Sequence, residues 1–169
     1  VWLEKRRDQA VDILIGGTLK QTYENDRLGY ENVNPTVIRA IPYDMMVSGY
    51  DTTNTAILRL WEARGINKFN IKKFDGGEYV EALREKDELE ALNKVLYPSD
   101  NTDKGKKLRL IQEYFLVSAA MQDILTDYFE REKNLKNIAK RISIHINDTH
   151  PALCIPELMR LLIDKYGYG

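Results

Sequence analysis

The sequence predicts an α/β domain, and three observations predict it. Apolar and polar residues alternate through the first third of the chain, and the segments that follow carry apolar residues at helical intervals. Near the end, an isoleucine alternation runs directly into a proline-marked helix start. At 169 residues the chain suits one domain, long enough to bury a substantial core. It divides into a β-rich part over about 1–65 and a helical part with one strand over about 70–169.

The elements follow in order. "AVDILIGGTLKQTY", residues 10–23, reads as a strand interrupted by a bulge or bend at Gly16-Gly17. A turn around Asn25, Asp26 and Gly29 then leads through a hairpin to a second strand in "NPTVIRAIPYDMMV". Thr, Ile, Leu and Trp in "SGYDTTNTAILRLWEAR" place a third strand over Thr53 to Trp61. In "GGEYVEALREKDELEALNKVL", Tyr79, Leu83, Leu89, Leu92 and Leu96 predict two short helices. The turn-rich loop "YPSDNTDKGKK" precedes "LRLIQEYFLVSAAMQDILTDYFEREK", a long helix apolar enough to be buried on more than one side. In "RISIHIN", Ile142, Ile144 and Ile146 share one face of an expected strand, with Ser143, His145 and Asn147 on the other.

Charge and composition remove several function classes. Twenty-five Lys and Arg against 26 Asp and Glu leave a formal charge of −1, so no global field favours nucleic acid or an anionic membrane. No apolar run approaches the roughly 18 residues of a membrane span, and the charged start is unlike a signal peptide. Cys154, the one cysteine, excludes an internal disulfide and fits a reducing cytoplasm. It reads as a small core residue rather than a nucleophile. A start at Val1 without methionine, and an end just after an apolar helical segment, predict a fragment.

Two segments carry candidate chemistry. Asn147, Asp148, Thr149 and His150 lie where the expected strand gives way to a helix, the usual place for ligands in an open α/β sheet. Asp148 or Thr149 can cap that helix with Pro151 in its first turn, or the cluster can form a ligand wall. In "YPSDNTDKGKKLRL", Asp100 or Asp103 can cap the long helix; alternatively, Asp100 and Asn101 gate a polar ligand and Arg109 binds an anion. A metal site of His145, His150 and Asp148 is disfavoured, because no cysteine or second carboxylate completes the set. No phosphate-binding glycine motif supports a nucleotide.

"IPYDMMVSGYDTTNTAILRLWEAR", "VLYPSDNTDKGKKLRLIQEYFLVSAAMQDIL" and "ISIHINDTHPALCIPELMRLLID" closely resemble successive blocks of the glycogen, starch and maltodextrin phosphorylases. The resemblance runs from about Trp2 to Asp164 and is most specific in QEYF and NDTHP. It implies a partial Rossmann-like N-terminal domain of a two-domain glycosyltransferase fold. The parent would cleave an α-1,4-glucan with inorganic phosphate, releasing glucose 1-phosphate, in a cytoplasmic homodimer with pyridoxal phosphate as cofactor. The cofactor lysine belongs to the missing C-terminal domain, so the fragment alone is expected to be inactive and to contain no catalytic residue. By the same resemblance, Pro98, Ser99 and Asp100 belong to a gate loop that extends to Gly105, with Arg109 near the entrance channel. Asn101, Asp148 and His150 would contact the sugar. Ser99 stands where the animal enzymes have asparagine, and Thr102-Asp103 where they have paired aromatics, which argues against their entrance stacking site. The competing readings are a carbohydrate-binding module without catalysis and a structural interaction domain.

Overall fold

Gly16 and Gly17 divide the β-rich part. Both have positive φ, 69° and 87°, so the chain leaves one strand and turns into another. A Cβ on Gly17 would collide with the Asn32 side chain, whose Nδ2 donates to the Gly16 carbonyl at 3.0 Å. The computed structural model describes residues 2–24, 27–66 and 74–168. Its strands are β1 (Glu4–Lys5), β2 (Val11–Ile15), β3 (Thr18–Glu24), β4 (Arg27–Val33), β5 (Thr36–Ser48) and β6 (Thr55–Gly65).

β5 is the central strand of a four-stranded sheet, antiparallel to β1 and β2 along one side and to β6 along the other. β3 and β4 form a separate antiparallel ribbon. The expected turn residues Asn25 and Asp26 lie outside the described residues, while Gly29 sits inside β4, opposite Thr22. β4 is a strand that the sequence reading did not separate, because only Leu28 and Tyr30 mark its apolar face. The third expected strand starts two residues later than Thr53 and runs on to Gly65.

All strand pairs among the described residues are antiparallel, so the parallel pairing of a Rossmann-like sheet is not among them. The "RISIHIN" strand is corrected accordingly: Ile142 has extended backbone, but residues 142–147 pair with no described strand. Alternation specifies two faces, whereas a strand also needs a neighbour for its N–H and C=O groups.

In the helical part, α1 (Tyr79–Glu90) runs into a single 3-10 turn, Ala91–Asn93, where two helices were expected. The charged residues between Leu83 and Leu89 interrupt the apolar stripe, but such residues propagate a helix well. α2 spans Asp103–Glu132, α3 Ile138–Arg141 and α4 Cys154–Arg160, which passes into a wide π turn at Leu161–Lys165. Among the described residues, no helix is long and apolar enough to cross a membrane.

α2 is the organising element. Phe115 and Ala119 pack on the sheet with Ile13, Ile38, Ala40 and Ala63, whereas Val117, Met121 and Leu125 pack with Cys154 and Leu161. The two stripes are offset by two residues, about 200° around a helix, so they face opposite sides. This accounts for the burial on more than one side expected of this helix. Arg59 on β6 ties the same helix to the sheet, donating to Asp44 and Asp123 at 2.7 Å each. At the outer edge of β6, the Asn93 side-chain amide engages both backbone groups of Ala63, each at 2.7 Å.

Candidate functional site

The start of α2 is set by Thr102, whose backbone is extended (φ −124°, ψ 154°) and whose Oγ1 accepts from the Gly105 N–H at 3.1 Å. Neither expected cap, Asp100 or Asp103, fills this role. Asp103 is already helical, and the Asp100 carboxylate is drawn to Arg109. Gly105 allows the preceding loop to fold back closely, since a Cβ there would collide with the Ser99 carbonyl oxygen.

Downstream along α2, Arg109, Gln112, Glu113 and Leu116 recur at i, i+3, i+4 and i+7 and so share one face. Arg109 occupies the centre of a polar relay. Its Nη1 donates to Asp100 Oδ2 at 2.7 Å and its Nη2 lies 2.6 Å from His150 Nε2. Glu113 Oε1 lies 3.8 Å from Arg109 Nε and 3.9 Å from His150 Nε2. The Tyr97 ring meets the His150 ring edge-on, centroids 5.4 Å apart, and lies 5.9 Å from the Arg109 guanidinium carbon.

His150 opens a 3-10 turn, His150–Leu153, that leads into α4. Here too the expected cap is corrected: neither Asp148 nor Thr149 makes a side-chain cap bond. Asp148 sits at φ 72°, a conformation that carboxamide and carboxylate residues tolerate better than most. Its Oδ1 accepts the Thr149 N–H at 2.6 Å, and its Oδ2 lies 2.9 Å from His150 Nδ1. The Thr149 amide and the His150 ring hold the Asp148 carboxyl below its ordinary range. A guanidinium can only donate, so His150 Nε2 is the acceptor and the ring proton resides on Nδ1, facing Asp148.

These groups surround a cavity of about 330 Å³ lined by Leu96, Tyr97, Arg109, Gln112, Glu113, Leu116, Val117, Asn147, Asp148, His150 and Pro151. Of the residues expected at a site, Arg109, Asn147, Asp148 and His150 line it together. Asp100 joins them through Arg109 without lining the cavity, and Pro98 is half-buried beside them in sequence. Asn101 and Ser99 are exposed and outside the lining. The sequence reading missed Tyr97, Gln112 and Glu113. The last two were legible as helical neighbours of Arg109, whereas Tyr97 depends on a left-handed backbone (φ 55°) that sequence spacing does not reveal. Gln112 Nε2 donates to the carbonyls of Leu92 and Val95, fixing the approach to Tyr97.

The cavity presents both donors and acceptors of hydrogen bonds. Asp100, Glu113 and Asp148 supply three carboxylates around one guanidinium, so an added phosphate would meet net repulsion there. Hydroxyl groups can be matched by the acceptors and donors present.

Comparison with known proteins adds an independent finding. A family model described as carbohydrate phosphorylase matches residues 1–169. The glycogen phosphorylase of Haemophilus influenzae is 41% identical over 99% of this chain and 21% of its own length. That of Bacillus subtilis is 42% identical over 98% of the chain and 20% of its own length. The muscle form of Bos taurus is 37% identical, covering 97% and 20%. The chain thus spans about a fifth of the length of the curated relatives it matches.

Proposed function

The chain belongs to the carbohydrate phosphorylase family, and from that premise we propose that its parent cleaves an α-1,4-glucan with inorganic phosphate to give glucose 1-phosphate. In this reading the chain is part of a Rossmann-like N-terminal domain and supplies one wall of the sugar site. The observation that carries it is the Asp148–His150–Arg109–Asp100 relay around a cavity able to match hydroxyl groups. Asp148 and His150 orient sugar hydroxyls, Asn101 adds an amide when the loop closes, and Pro98, Ser99 and Asp100 form the gate. Phosphate is handled elsewhere in the parent, as are the catalytic residues.

Pyridoxal phosphate, the cofactor this family reading implies, does not fit the described part of this chain. An imine-forming lysine has to sit in an enclosed pocket, and every lysine whose side chain is described is exposed apart from half-buried Lys5. The Lys5 ammonium is held by Glu62 at 2.9 Å. The cofactor and the glucan's second wall are therefore assigned to the remainder of a cytoplasmic, homodimeric parent.

Phosphorolysis of maltodextrin by the full-length parent tests this. His150→Asn and Asn101→Ala are each expected to lower kcat/KM by roughly tenfold, because sugar hydroxyls lose partners in a closed cleft. Unchanged kinetics in both variants would remove the sugar-wall assignment.

A further inference from the structure

Two carboxylates line the cavity, and they are held differently. Asp148 gives one oxygen to the Thr149 N–H and the other to the His150 ring, so both of its oxygens have partners. The Glu113 carboxylate makes no hydrogen bond among the described residues: its contacts are the two long ones from Oε1, 3.8 Å to Arg109 Nε and 3.9 Å to His150 Nε2. Neither neighbour needs it. Arg109 already has the Asp100 carboxylate at 2.7 Å, and His150 Nε2 carries no proton, because it accepts from Arg109. A carboxylate offers only acceptors, and this one is mostly shielded from water, its side chain 23% exposed, in a cavity that already holds a second carboxylate. Its charge is costly there unless something donates to it.

We propose that Glu113 is a sugar-contact residue whose carboxylate accepts two neighbouring hydroxyls of one glucose ring, and so selects a ligand with an intact vicinal diol. This rests on the sugar-wall reading above and adds to it the group that reads the hydroxyl pattern. Two oxygens in one plane match two adjacent O–H donors, and such charge-assisted bonds are stronger than those between neutral groups. Leu96, Leu116 and Pro151 line the same cavity, and their apolar surface lowers the local dielectric in which the bonds form. A site built to receive hydroxyls rejects the analogue that lacks one, because its own polar group is then left unpaired.

Phosphorolysis by the full-length parent tests the assignment, with maltopentaose and a set of analogues whose non-reducing terminal glucose lacks a single hydroxyl. Dividing the kcat/KM of the unsubstituted enzyme by that of Glu113→Gln on each substrate cancels the analogue's own reactivity. Glutamine keeps the size but replaces one acceptor oxygen with a donor, so this ratio should be roughly tenfold or more on maltopentaose. It should fall below about threefold on the two analogues that lack adjacent hydroxyls and stay high on the others. Melting temperature should be unaltered, since the carboxylate bonds to no other part of the protein, and Glu113→Ser gives the same comparison if the glutamine variant does not fold. A ratio equal on all substrates, or near unity on maltopentaose, overturns the contact, and the sugar wall survives that result if His150→Asn still lowers kcat/KM. A ratio that falls on one analogue alone, or on two whose missing hydroxyls are not adjacent, overturns the vicinal pairing. If His150→Asn and Asn101→Ala both leave every substrate unaltered, the sugar wall and the Glu113 assignment fall together.

Discussion

Asp148 shows at the residue scale how one side chain can be misread from its neighbours. An acid before a proline-marked helix suggests a cap, yet its carboxylate serves the Thr149 N–H with one oxygen and the His150 ring with the other. What the sequence could not convey is the positive φ at Asp148, which turns the carboxylate towards the imidazole. Asn tolerates this backbone but has one oxygen where Asp has two, so Asp148→Asn must sacrifice one of the two bonds. In the full-length parent, the substitution is expected to leave stability within about 0.5 kcal/mol, as for most exposed positions. The kcat/KM for maltodextrin should fall several-fold, because the histidine's proton placement follows its partner. Melting temperature and phosphorolysis measured side by side check this, and unaltered activity would reduce Asp148 to a turn residue.

Among the elements, α2 was the most legible, because apolar residues on most of its circumference required contacts on two sides. Its partners were less legible: β4 is too polar to announce itself, and the "RISIHIN" alternation implied a ladder that the described residues do not contain. Invisible in the pattern was the polar bolt between α2 and α4. The buried Glu157 carboxylate accepts from Ser118 at 2.6 Å, from Tyr114 at 3.3 Å and from both Arg160 Nε and Nη2 at 2.8 Å. Burial alone pushes this carboxyl up, but the Arg160 and Ser118 bonds outweigh it and hold the group below its ordinary 4.5. A carboxyl depressed in the folded state contributes fully above about pH 4.5 and loses that contribution as pH falls through its lowered pKa. Glu157→Gln should therefore cost about 2 kcal/mol near neutral pH. The gap from the unsubstituted protein should close on acidification, as read by urea unfolding across pH. A gap that is constant down to acid pH would contradict the charge-based account.

For the whole molecule, family and α/β class were readable because three blocks with compatible spacing survive in the sequence, whereas the left-handed backbone at two cavity-lining residues, Tyr97 and Asp148, was not. The described residues line a cavity, and no lysine whose side chain is described is enclosed. Purified by itself, it is expected to release no glucose 1-phosphate from maltodextrin and to show no pyridoxal phosphate absorbance. Detection of either would mean that the remainder of the parent is not needed for that step. The Asn93 amide on Ala63 has a different consequence, for how the chain behaves among copies of itself. The outer rim of β6 presents backbone groups on which a neighbouring molecule could build a further strand, and at Ala63 those groups are already taken by a side chain from the same molecule. One carboxamide thus keeps the Ala63 backbone from pairing with a further strand.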